Sequence, residues 1–96
     1  MENKHGGLFV YTHFNHKIVS VVSLTCQTDF AEKTELFKKI GHELAIQAAT
    51  SEAENVAEFL KEENVFGDGP VSLMIEELQK ELKEKIELVS IQKILF

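Results

Sequence analysis

The sequence predicts an α+β fold: a small three-stranded antiparallel sheet, built from a hairpin and a C-terminal strand, covered on one face by about three helices. Three observations predict it. Residues 8–25 are crowded with β-branched and aromatic side chains around a short polar break, residues 34–82 carry apolar side chains at three- and four-residue spacing, and residues 86–96 return to an Ile- and Val-rich run.

Gly6-Gly7 marks the first boundary, after which residues 8–14 form a strand. Asn15-His16 breaks it, and residues 17–25 supply Ile18, Val19, Val21, Val22 and Leu24 between serines, so the two runs read as a hairpin. Asn15 tolerates a left-handed backbone better than His16 does, which leaves the turn type open. Leu36, Phe37, Ile40, Leu44, Ile46 and Ala48 mark the apolar face of a helix over 34–49. Ser51 with Glu54 matches a capping box and predicts a second, shorter helix, which Gly67-Asp68-Gly69-Pro70 stops. Pro70 suits the first turn of a third helix, whose stripe is Val71, Ile75, Leu78 and Leu82. In residues 86–96 neither parity is wholly polar, so the last strand should be partly covered on both faces. No repeat, low-complexity tract or linker divides the chain, and residues 1–96 read as a single domain.

A chain of 96 residues buries only ~60 to 65% of its unfolded surface, so its core must be economical or completed by a second copy. A homodimer is therefore expected. The net charge is −6, with ten Lys and no Arg. Lacking the guanidinium fork that reads phosphates and base edges, the chain is a poor nucleic-acid binder. Its acidity disfavours anionic membranes, and no apolar run approaches spanning length. One cysteine excludes an intrachain disulfide, and residues 1–5 lack the apolar segment of a signal peptide, so a cytoplasmic location is expected. No phosphate-cradling loop and no zinc spacing is present, and no cofactor or metal is expected. A nucleophilic Cys26 paired with His13 or His42 is disfavoured, because a lone cysteine among apolar residues packs as a small core side chain.

Cys26-Gln27-Thr28-Asp29-Phe30 places an acid and a large aromatic where the β-rich run ends and helical spacing has not begun. Phe30 can there seal the core beneath the next helix, or stand exposed as an anchor for another molecule. Asp29 can satisfy free N–H groups at the start of a helix. With its neighbours, this stretch resembles the Thr-Asp-Phe segment in the core domain of elongation factor Ts (EF-Ts). The similarity extends to Tyr11-Thr12-His13 before Lys17-Ile18-Val19, to residues 44–49 and 59–68, and to the last helix and strand.

That family displaces GDP from the translational GTPase EF-Tu, so the resemblance implies a nucleotide exchange factor with EF-Tu as partner and no covalent chemistry. It implies that Thr28, Asp29 and Phe30 contact the GTPase domain, with the Phe30 ring wedged between helices near the magnesium and phosphate site. It also assigns partner contact to His13, and to Leu82 and Lys83. The family's Ile-Gly-Glu-Asn-Ile segment is here Leu82-Lys83-Glu84-Lys85-Ile86, so Lys83 stands in place of glycine. The family's N-terminal ubiquitin-associated-like domain has no counterpart in these residues, and its central helical stretch shrinks to about 51–63. A minimal, single-core form is expected. Two alternatives stand beside exchange: a module that recruits EF-Tu without releasing nucleotide, and a structural homodimer in which Phe30 is core.

Overall fold

The computed structural model describes residues 5–96. Residues 1–4, part of the stretch read for a signal peptide, lie outside the described residues. The elements are β1 (His5–Thr12), β2 (Ile18–Cys26), α1 (Asp29–Glu32), α2 (Glu35–Thr50), α3 (Val56–Lys61), α4 (Val71–Leu82) and β3 (Glu87–Leu95). The strands form one antiparallel sheet in the order β1-β2-β3, so the hairpin and the C-terminal strand share β2 as their centre. This is the predicted α+β arrangement, with α1 added as a one-turn helix where the spacing predicts only a junction.

Gly6 and Gly7 are not a boundary. They lie inside β1, opposite Thr25 and Leu24, and Gly6 has φ 144° in a place where a Cβ would run into the Leu24 backbone. Close approach of two strands, rather than chain reversal, explains that glycine. At the other end of the hairpin, His16 N donates to His13 O (2.8 Å) and His16 itself takes the left-handed conformation (φ 61°). Asn15, the better left-handed residue on propensity, instead accepts from Lys17 N with its side-chain oxygen (3.0 Å).

Alternation along β2 decides which face is core. Ser20, Val22, Leu24 and Cys26 are buried toward the helices, while Val19, Val21, Ser23 and Thr25 are half-buried on the other side. α2 lies across the inner face with Phe37, Leu44, Ala45 and Ala48 buried. Its Gly41 leaves a notch that the Phe9 ring of β1 occupies, edge-on to Phe37 at 5.8 Å between centroids. The buried Ser20 hydroxyl donates to Ala45 O, tying β2 to α2. Phe59, Val71, Met74, Ile75, Leu78, Ile86 and Leu88 close the core.

The second helix starts later than the capping box at Ser51 predicts. Ser51 ends α2, and its hydroxyl donates to Glu62 Oε2 (2.7 Å) while accepting from Ala53 N (2.9 Å). Asn55 is the residue that caps α3, accepting from Glu58 N (2.9 Å), and the Glu58 carboxylate accepts from Glu54 N (2.9 Å). Pro70 stands directly before α4, in the capping position rather than inside the first turn. The outer face of the sheet is uncovered in the single chain. Leu8 and Val10 of β1 and Ile94 of β3 are exposed there beside Val19 and Val21, so β3 is covered on one side and not on both.

Candidate functional site

Phe30 rides on α1, four residues long and far too short to persist by its own hydrogen bonds. Two threonines hold it. The Thr28 side chain accepts from Ala31 N (3.2 Å) at its start, with the extended backbone of an N-cap (φ −134°, ψ 157°). At its end, the Thr34 hydroxyl donates to Ala31 O (2.8 Å) and accepts from Phe37 N (3.1 Å), so the same residue closes α1 and caps α2. Ala31 points into the core at 0% exposure; the preceding side chain, Phe30, therefore points outward and is 73% exposed. The core-plug reading of Phe30 is excluded by that exposure.

Asp29 does not cap the helix. The cap is Thr28, and Asp29 occupies the first turn, paired with Lys33 at 3.7 Å with both groups exposed. Such a pair adds at most ~1 kcal/mol. The buried Cys26 thiol donates to Thr28 O (3.3 Å), and burial pushes its pKa up. A protonated, buried thiol whose hydrogen is engaged is not a nucleophile.

The other wall of the junction comes from the turn between α4 and β3. The Glu84 carboxylate accepts from Gln27 N (2.9 Å), from Thr28 N (3.2 Å) and from the Thr28 hydroxyl. Gln27 answers with its own side chain, whose oxygen accepts from Lys85 N (2.9 Å). These bonds lower the Glu84 pKa below the ordinary carboxylate value, the Thr28 hydroxyl contributing most. Lys83, the residue before, has a left-handed backbone (φ 59°, ψ 38°) and donates its N–H to Gln79 O (2.7 Å) as α4 ends. A lysine thus stands where the chain turns through a conformation that favours glycine.

The structure brings Thr28, Asp29 and Phe30 to one rim of the molecule and sets the Leu82–Lys83 corner beside them. His13 is not part of that rim. His5 pairs with Cys26 and Thr12 with Val19, so the hairpin tip and the junction are separated by about 23 Å of strand. At the tip, His13 Nδ1 and the Tyr11 hydroxyl are hydrogen-bond partners at 3.1 Å, and the exposed Phe14 ring lies 4.5 Å from the imidazole. Glu84 and Gln27 are the residues that sequence reasoning missed. Nothing local marks them, because the bonds between them and their partners cross 56 to 58 positions of the sequence.

Away from the junction, a groove of about 760 Å³ runs between α2, the 64–69 loop and α4, floored by Ile40, Leu73, Met74 and Leu78. Among the described residues no group of three or more His, Cys, Asp or Glu side chains is placed to hold a metal ion. No described helix is long and apolar enough to cross a membrane.

No protein-family model matches the chain. Among curated proteins it is 32% identical over 82 residues to Elongation factor Ts of Herpetosiphon aurantiacus, covering 72% of this chain and 41% of that protein. It is 35% identical over 75 residues to Elongation factor Ts of Maridesulfovibrio salexigens, covering 78% and 28% respectively. With the same-named protein of Thermosipho melanesiensis it shares 42% identity over 48 residues, half of this chain and 24% of that one. The chain spans less than half the length of these curated relatives.

Proposed function

This chain is an elongation-factor-Ts-like domain, and from that premise we propose that it binds the translational GTPase EF-Tu in the cytoplasm and speeds release of GDP. Phe30 carries the reading. It is a large apolar ring, 73% exposed, on a turn of helix fixed at both ends, the arrangement expected of an aromatic anchor that fills a partner's pocket. Thr28, Asp29 and the Leu82–Lys83 corner border it and supply the surrounding contacts; His13, at the far end of the sheet, reaches a second point on the GTPase. No covalent bond is made or broken. Exchange is a coupling between two ligands of EF-Tu, and ~1 to 3 kcal/mol of coupling changes either affinity by ~5 to 150-fold.

The uncovered outer face of the sheet supports a homodimer in which Leu8, Val10, Val19, Val21 and Ile94 meet their symmetry mates. A second reading, recruitment of EF-Tu without exchange, needs only the exposed Phe30 anchor and none of the coupling.

Release of a fluorescent GDP from a bacterial EF-Tu tests the reading. The wild-type chain should accelerate release. Phe30→Ala should weaken binding by about 30-fold or more while changing folding stability by no more than ~0.5 kcal/mol, since an exposed ring leaves no cavity. Binding without faster release selects recruitment, and a Phe30→Ala chain that binds as tightly as wild type removes the wedge.

A further inference from the structure

We propose that Glu84 is a positioning residue: without touching the partner, its carboxylate sets the direction in which Phe30 leaves the surface. The inference rests on the reading of Phe30 as the anchor for EF-Tu. A side chain that is 73% exposed leans little on its own protein, so its direction is inherited from the backbone beneath it. That backbone is one turn of helix, which cannot fix itself. What fixes its start is Thr28, and what fixes Thr28 is Glu84.

The Thr28 hydroxyl has two partners at once. It donates to Glu84 Oε2 and accepts from Ala31 N (3.2 Å). A hydroxyl free to rotate could donate elsewhere; held by the carboxylate, it keeps its lone pair aimed at α1. Glu84 Oε1 meanwhile takes the backbone N–H groups of Gln27 and Thr28 at 2.9 and 3.2 Å. One carboxylate thus gathers three donors of the segment that leads into α1, through charge-assisted bonds stronger than neutral ones. The Gln27 side chain returns a bond to Lys85 N (2.9 Å), so the two segments grip each other from both sides. The local bond, from the Cys26 thiol to Thr28 O (3.3 Å), engages the carbonyl of Thr28 and neither of the two N–H groups. The turn that carries Glu84 is itself anchored by Gln79, whose backbone oxygen accepts from Lys83 N (2.7 Å) and whose side-chain oxygen accepts from Ile86 N (2.9 Å). Glu84 therefore acts from a fixed base at the end of α4.

The test is a double-mutant cycle on the full chain. Affinity for GDP-loaded EF-Tu is measured for wild type, Glu84→Ala, Phe30→Ala and the pair, with amide hydrogen exchange of the free proteins read at Gln27, Thr28 and Ala31. Glu84→Ala should speed exchange at these amides at least tenfold and weaken binding at least tenfold, with the melting temperature within a few degrees of wild type. In the Phe30→Ala background the same change should cost no further affinity, because Glu84 works through the ring that is gone. Glu84→Gln keeps one acceptor oxygen and should recover part of both effects. Losses that add across the cycle overturn the proposal, since they assign Glu84 its own contact or a general structural role. A wild-type chain that binds no EF-Tu ends this inference together with the reading it rests on. A wild-type chain that binds, matched by a Glu84→Ala chain that binds equally well, ends this one alone.

Discussion

Among the described residues, two that are not glycine carry a backbone that their side chains disfavour: His16 at the hairpin tip (φ 61°) and Lys83 at the end of α4 (φ 59°). A left-handed conformation costs a non-glycine residue roughly 1 to 2 kcal/mol. Lys83→Gly should therefore stabilise the fold by about 1 kcal/mol, the relief being partly offset by glycine's greater freedom in the unfolded chain. Urea unfolding reads the gain, and Lys83→Ala, which keeps a Cβ, should give none of it. Next along the chain, Glu84 holds a pH dependence. Its folded pKa is depressed, chiefly by the Thr28 hydroxyl, so its stabilising contribution is complete above the usual carboxylate range and is lost as the pH falls through the lower folded value. The melting-temperature difference between wild type and Glu84→Gln should accordingly be largest near neutral pH and close to zero at strongly acid pH.

At the level of elements, α2 and β1 depend on an absent methyl group. A glycine inside a helix is normally unfavourable by about 1 kcal/mol relative to alanine, so propensity alone predicts that Gly41→Ala stabilises. The structure predicts the reverse: a Cβ at Gly41 would enter the Phe9 ring, and forcing the ring aside should cost ~1 to 3 kcal/mol. Thermal unfolding of Gly41→Ala alone and with Phe9→Leu checks this, the second change restoring much of the loss. Such pairings also mark what could be read from the sequence. The β-branched runs, the stripe of α2 and the stripe of α4 are local signals, and each element stands within a few residues of its expected place. The start of α3 is not where Ser51 and Glu54 put it, because the Ser51 hydroxyl is taken by Glu62, eleven residues away. An equally good motif, Asn55 with Glu58, lies four residues on. Gly6 and Gly7 look like punctuation because the strand that crosses them is Leu24 and Thr25, and nothing near them in sequence announces it. Phe30 could be singled out from five consecutive residues; Glu84 could not, since its bonds to the junction span 56 and 57 positions.

For the molecule as a whole, the sheet has one face dressed by helices and one left bare. Leu8, Val10 and Ile94 are 71%, 53% and 64% exposed on that bare side, a patch of the kind that marks an association surface. Light scattering should find a dimer at micromolar concentration, and Val10→Lys, which puts a charge into that apolar patch, should shift it to monomer without loss of helical signal. The covered side holds a different opportunity. Cys26 is the chain's only thiol; it sits at the end of the central strand, at 0% exposure beneath the junction. Its chemistry is a clock for opening: a thiol-specific reagent can react only with molecules in which that end of β2 has come away from α1, so the labelling rate follows the opened fraction. Labelling should be slow in the free chain, faster in Glu84→Ala, and slower again when a partner covers Phe30.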